Sequence, residues 1–162
     1  MAFLRGWLRV LVKRTDRPFT VAEELLIDKG LAAVMRLPPA ERSLGALRKQ
    51  MGFQDAEGAG ARLERWCADG ALGWAFDNVE DSISLSDRFI GFDMTDFLEN
   101  AEIRTPVMMY MFHRIDEQTQ NLGETRLLVF KPDETRKPLL RLKVGIGQAP
   151  FKHSVEGLTT AH

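Results

Sequence analysis

The sequence predicts a mixed α/β chain: a helical subdomain over residues 1–70, an α/β segment over 71–130, and a tail over 131–162, packed as one compact domain. Three observations predict it. Up to residue 70, apolar residues recur at helical spacing, with capping residues and prolines at the breaks. After Leu72 the pattern shortens into aromatic runs and alternation. Near Thr105 a long apolar helix opens on a proline and leads into a further strand-like run.

Phe3, Leu4, Trp7, Leu8, Leu11 and Val12 share one helical face, with Arg5, Arg9 and Lys13 away from it, so the first element is an amphipathic helix that stops before Pro18. The second begins at Thr20-Val-Ala-Glu23. This is a capping box, in which hydroxyl and carboxylate satisfy each other's orphan amide donors, and the helix runs towards Arg36. A third helix is expected from Pro38-Pro39, with Leu44, Leu47 and Met51 on its apolar face and Gly52 as terminator. Asp55 is the expected cap of a fourth, through Ala61, Leu63, Trp66 and Cys67 to Gly70.

Leu72-Gly-Trp74-Ala-Phe76 is short, aromatic and closed by Asp77-Asn78, which predicts a strand; Ile83 and Leu85 alternate with serines, and Phe89-Ile-Gly-Phe92 is a second apolar run. Thr105-Pro106 pairs a cap residue with proline at the first helical position. The helix that follows, through Val107 to Ile115, is apolar on all sides over its first turns and is expected to be buried. Asn121-Leu-Gly123 turns into Leu127 to Phe130, a buried-strand composition, and Leu140, Leu142, Val144 and Ile146 alternate with Arg141, Lys143 and Gly145 as in a half-exposed strand. The last dozen residues have little apolar weight.

At 162 residues and 44% hydrophobic, the chain supports one sizeable core. Its net charge of −1 gives no whole-molecule argument for nucleic acid or membrane. Charge is nonetheless uneven. Arg5, Arg9, Lys13, Arg14 and Arg17 gather near the start, and eight carboxylates lie between Asp77 and Glu102. The single cysteine, Cys67, cannot form an internal disulfide, which fits a reducing compartment and a buried apolar role. With no signal-peptide core and no run long enough to span a bilayer, the expectation is a cytoplasmic protein with at most peripheral contact with the inner membrane.

Several of these segments carry a resemblance. Phe3-Leu-Arg-Gly-Trp7, Gly58-Ala-Gly-Ala-Arg-Leu-Glu-Arg-Trp66-Cys67, Leu72-Gly-Trp74-Ala-Phe76-Asp77, Gly91-Phe-Asp93-Met-Thr95 and Arg104-Thr-Pro106 to Ile115 resemble the type IV secretion and conjugation ATPases, the VirB/TrbE/CagE group, over most of the chain. The resemblance implies a RecA-like motor that uses ATP and magnesium. It places residues 1–70 in a helical insertion, Gly91 to Asp93 on an inner strand, Pro106 to Glu117 on a helix against the sheet and Leu127 to Phe130 on the strand leading to an acidic pair.

Two departures follow. No G-x-x-x-x-G-K-[ST] phosphate loop occurs, and the acidic pair Asp133-Glu134 comes after Lys131-Pro132 instead of at the strand's end. Two extra residues of extended chain, roughly 3.3 Å each, are more than a catalytic metal tolerates. Asp133 and Glu134, the only catalytic acids the resemblance offers, therefore read as a solvated turn. The expectation is a fragment or truncated homologue of a secretion ATPase that does not turn over ATP by itself and needs no cofactor.

Two alternatives stand beside it. One is an interaction module, a homo-oligomer or a partner of type IV secretion components, using Arg5, Trp7 and Arg9 at a lipid or protein interface and Met108 and Met111 in an adaptable groove. The other is a metal-dependent hydrolase built on the acidic run Asp77, Glu80, Asp81, Asp87, Asp93 and Asp96, whose carboxylates lack fixed ligand spacing. Gly58-Ala-Gly60 lacks the third glycine of a phosphate loop, and His113, at the end of its apolar helix, reads as a charge–dipole or hydrogen-bonding residue.

Overall fold

In the computed structural model, residues 1–81, 83–84, 89–92, 100–122, 126–131 and 141–146 are described, with backbone alone for 89–91, 121–122, 126–131 and 141–146. The chain divides into two compact units. The first comprises Met1–Ile83 and Glu99–His113, the second Ser84–Leu98 and Arg114–His162.

The first unit is helical. α1 (Ala2–Leu11) buries Trp7, Leu8 and Leu11, the apolar stripe the sequence places inward. α2 (Val21–Val34) starts on the expected capping box: the Glu23 amide donates to Thr20 Oγ1 at 3.2 Å, and the Thr20 amide to Glu23 Oε2 at 2.9 Å. The third helix, by contrast, does not begin at Pro38. A single 3-10 turn spans Pro39–Glu41, and α3 (Leu44–Met51) starts after Ser43, whose hydroxyl accepts from the Ala46 amide. Gly52 ends α3 at φ 75°, a conformation that L side chains rarely adopt.

The fourth helix is later and shorter than its sequence signals. Asp55 caps a turn instead, accepting from the Glu57 amide at 3.0 Å, and α4 (Ala59–Leu63) follows Gly58, with a 3-10 turn at Glu64–Trp66. The run expected as a strand at Leu72–Phe76 is the one-turn helix α5 (Gly73–Phe76). A five-residue apolar run has no decisive period, and packing decides it here. Phe76 stands edge-on to Trp7 at 4.8 Å between ring centroids and lies 5.7 Å from Trp66 and 6.1 Å from Tyr110. An extended strand would pull that ring out of the cluster.

α6 (Ala101–Leu122) begins a turn before Thr105-Pro106 and continues past Asn121, where a turn was expected. Asn100 is its cap, accepting at Oδ1 from the Glu102 amide at 3.0 Å and more weakly from Ile103. Pro106 thus lies inside the helix, where it leaves the Glu102 carbonyl without its usual partner. It is fully buried, as are Ile27, Leu63 and Trp66, and the first unit's core also takes Leu31, Leu47, Met51, Ile103 and Val107.

In the second unit the strands β1 (Phe89–Phe92), β2 (Arg126–Lys131) and β3 (Arg141–Ile146) pair in the order β1-β3-β2, antiparallel throughout, with Ile90 opposite Val144 and Leu128 opposite Val144. The expected RecA-like sheet is not present among the described residues. Such a sheet is built from parallel strands joined by helical crossovers. Ile83 lies in irregular chain, and Leu85, Asp93, Thr95 and the Pro132–Glu134 segment lie outside the described residues.

Candidate functional site

The most ordered polar chemistry in the first unit lies where α1 ends, α2 begins and α4 passes. A helix leaves its last carbonyls without intrahelical partners. Here two side chains from 50 and 55 positions along the chain supply them. The Trp66 indole N–H donates to the Leu11 carbonyl at 3.0 Å, and Arg62 Nε donates to the Val12 carbonyl at 2.8 Å. Arg62 also reaches the Glu57 carbonyl and donates to Glu23 Oε1 at 2.9 Å.

Glu23 is the centre of this junction. Its carboxylate takes Arg17 at 2.7 and 3.1 Å, Arg62, and both the hydroxyl and amide of Thr20, with only 11% of the side chain exposed. The hydrogen-bonding Arg17 guanidinium first, then the Thr20 amide and Arg62, hold its carboxyl well below the usual carboxylate range against the opposing effect of burial. Nearby, Arg14 forks onto Asp16 at 2.7 and 2.6 Å and reaches Glu57 at 3.1 Å, and the Asp16 carboxyl drops to about 2 under the Arg14 bond.

A second clamp is built on Asp77. Its carboxylate accepts from the amides of Leu44 at 2.7 Å, Gly45 at 3.3 Å and Ala68 at 2.9 Å, so one side chain caps α3 and holds the turn before α5. Asp77 is a structural acid, one member of the run proposed for metal, and Asp81 accepts from the Tyr110 hydroxyl at 2.7 Å. Among the described residues no three His, Cys, Asp or Glu side chains gather as a metal site would need.

The residues expected at an interface divide. Trp7 is buried, and its indole N–H donates to the Pro106 carbonyl at 3.0 Å, so it serves the core. Arg5 and Arg9 pair with Asp28, at 2.5 Å, and Glu24 on α2 and remain 56% and 41% exposed. Met111 is buried and Met108 half-buried, and Cys67, half-buried, has its thiol pushed up first by burial and then by Asp77. Phe3 stacks on His113 at 3.7 Å between centroids. Asp133 and Glu134 lie outside the described residues.

Gly60 has a packing reason. A Cβ there would meet the Gly52 carbonyl oxygen at 1.8 Å, so the glycine lets α4 pass the end of α3. An open groove of about 890 Å³ in this unit is lined by both signs of charge, among them Lys13, Arg65, Asp69 and Glu102, and Arg65 is paired with Glu102 at 2.6 Å. Arg62, which also lines it, is engaged by Glu23 and two backbone carbonyls. What the described geometry does is lock helices together through carboxylates and indoles.

Sequence reasoning found Glu23 as a capping residue but missed the arginines on it, and it missed Arg62 and Asp77. The one local signal was Arg17, six residues before Glu23.

No family model matches the chain, and no solved structure matches it. Curated relatives do. The chain is 43% identical over 137 residues to the type IV secretion system protein virB4 of Bartonella quintana, covering 85% of this chain and 17% of the relative. It is 39% identical over 142 residues to protein virB4 of Agrobacterium tumefaciens, covering 87% of this chain and 18% of the relative, and 34% identical over 144 residues to the type IV secretion system protein PtlC of Bordetella pertussis, covering 83% and 17%. Over most of its length the chain is a partial homologue of VirB4 and PtlC type IV secretion proteins, and it spans less than a fifth of their length.

Proposed function

We propose that this chain is a helical piece of a VirB4-type secretion ATPase lineage that serves as scaffold and interaction module in a type IV secretion setting and does not hydrolyse ATP by itself. The observation that carries the reading is the 43% identity over 85% of the chain, matched to 17% of a virB4 protein. Two features support the loss of turnover: the chain has no phosphate loop, and Pro132 stands between β2, which ends at Lys131, and the acidic pair Asp133-Glu134. The carboxylates of Glu23 and Asp77 are committed to arginines and backbone amides, which suits a framework that positions other parts. In this reading residues 1–70 are the helical insertion of the motor, 71–130 the remnant of its α/β part and 131–162 a divergent tail, and the protein works in the cytoplasm beside the secretion machinery.

Isothermal titration with magnesium-ATP is expected to give no tight binding, and no phosphate release is expected. ATP turnover that disappears on changing Asp133 or Glu134 to alanine would sink the proposal.

A further inference from the structure

We propose that the outward side of the α1–α2 layer is a docking face for an anionic lipid surface. The pairs Arg5–Asp28 and Arg9–Glu24 run in opposite order along the two helices, so α1 and α2 lie side by side and antiparallel. Their inward sides carry Trp7, Leu8, Leu11, Ile27, Leu31 and Val34. Opposite that core, at helical spacing, the layer turns Arg5, Arg9 and Lys13 outward from α1, and Val21, Leu25 and Lys29 from α2, with Arg36 just past its end.

Charge and apolar exposure coincide on this side. Arg5, Arg9, Lys13, Lys29 and Arg36 share this side with two acids, Glu24 and Asp28, while Asp16, beside Arg9 and Lys13 in one groove, is held by Arg14; the side keeps an excess of positive charge on a chain whose net charge is −1. Glu24 and Asp28 are held by Arg9 and Arg5, while Lys13, Lys29 and Arg36 carry no ion pair among the described residues. Between the cations stand Val21, 82% exposed, and Leu25, 50% exposed. α2 therefore offers exposed apolar surface on the side away from the core as well, beside Lys29. A headgroup layer satisfies both features, because phosphates meet the cations while Val21 and Leu25 enter the acyl boundary. No helix among the described residues is long and apolar enough to cross a membrane, so the contact is peripheral. A nucleic-acid strand would use the cations but leave the apolar pair in water, and the face has no exposed aromatic ring for base stacking, Trp7 being buried.

The proposal stands on α1 and α2 alone and does not depend on the secretion reading. Flotation of the full chain with vesicles of phosphatidylcholine mixed with phosphatidylglycerol, and with pure phosphatidylcholine, tests it. Binding is expected to the mixed vesicles only and to weaken as salt is raised. Lys13→Glu, Lys29→Glu and Arg36→Glu together are expected to weaken binding by about tenfold or more, and Val21→Ser with Leu25→Ser by roughly threefold to tenfold. Lys29→Arg should bind as the parent does. All these side chains point into solvent, and circular dichroism checks that each variant is folded. No binding of the parent to anionic vesicles at low salt, binding unchanged in the folded triple variant, or capture by single-stranded DNA without capture by vesicles would each overturn the proposal.

Discussion

α2 carries two sets of ion pairs, and they differ in what surrounds them. At its N-terminus Glu23 meets Arg17 and Arg62 with 11% of its side chain exposed, inside a junction that also satisfies the C-terminal end of α1. On its outward side Asp28 and Glu24, 37% and 44% exposed, meet Arg5 and Arg9, 56% and 41% exposed. The chemistry is the same: carboxylate and guanidinium. Water decides the difference, because screening reduces an exposed pair to little while a shielded carboxylate that loses its partners keeps its desolvation cost. Pairs of the first kind define the fold, and pairs of the second kind remain available to a surface.

The comparison breaks most violently through the indole that closes the inner junction. Trp66→Ala removes a fully buried side chain and the donor to the Leu11 carbonyl, and urea unfolding is expected to show a loss of about 3–5 kcal/mol. Next comes Glu23→Gln, expected to cost roughly 2–3 kcal/mol, since Arg17 and Arg62 lose their shared carboxylate.

The same residue sets an acid limit. Its folded pKa is depressed below the ordinary 4.5, so its contribution is fully present above that value and is lost as pH falls through and below it. Thermal scans of the Gln variant should therefore fall less steeply below about pH 4.5 than those of the parent. A variant with an unchanged acid slope would mean that Glu23 is not the titrating group.

Asp77→Asn tests whether a distant clamp behaves like the inner junction. With its three amide bonds weakened, a loss of about 1–2 kcal/mol is expected from chemical denaturation. The smallest effects belong to the outer pairs. Arg5→Ala and Arg9→Ala are each expected to cost about 0.5 kcal/mol or less, with the difference shrinking in high salt. A loss from either as large as that of Glu23→Gln would erase the distinction between the two sets.

Much of the first unit was legible wherever the deciding contact is local. Thr20 and Glu23 are three residues apart, and the capping box could be read as it folds. The stripes of α1 and α3 and the terminator Gly52 were legible for the same reason, since helical spacing and a positive φ are properties of neighbouring residues. What failed depends on distance along the chain. Leu72–Phe76 became a helix because Phe76 has to meet Trp7, and α6 began at Ala101 because Asn100 outcompeted Thr105 as cap once Pro106 was packed inside. Asp77 looked like one more acid in a run, because the amides it caps at Leu44 and Gly45 lie more than 30 residues away.

By itself the sequence determined the amphipathic stripes of α1 and α3, the capping box of Thr20 and Glu23, the absence of a phosphate loop and the kinship with secretion proteins, each of which is written in residue order and spacing. Only the tertiary structure decided which charges are held and which are offered. Arg62 and Arg5 are the same residue type. One donates into a shielded junction between three helices and the other lies on an open face. The energetic value of a charge is set by its dielectric surroundings and its partners, and both are made by segments that the chain brings together only when it folds.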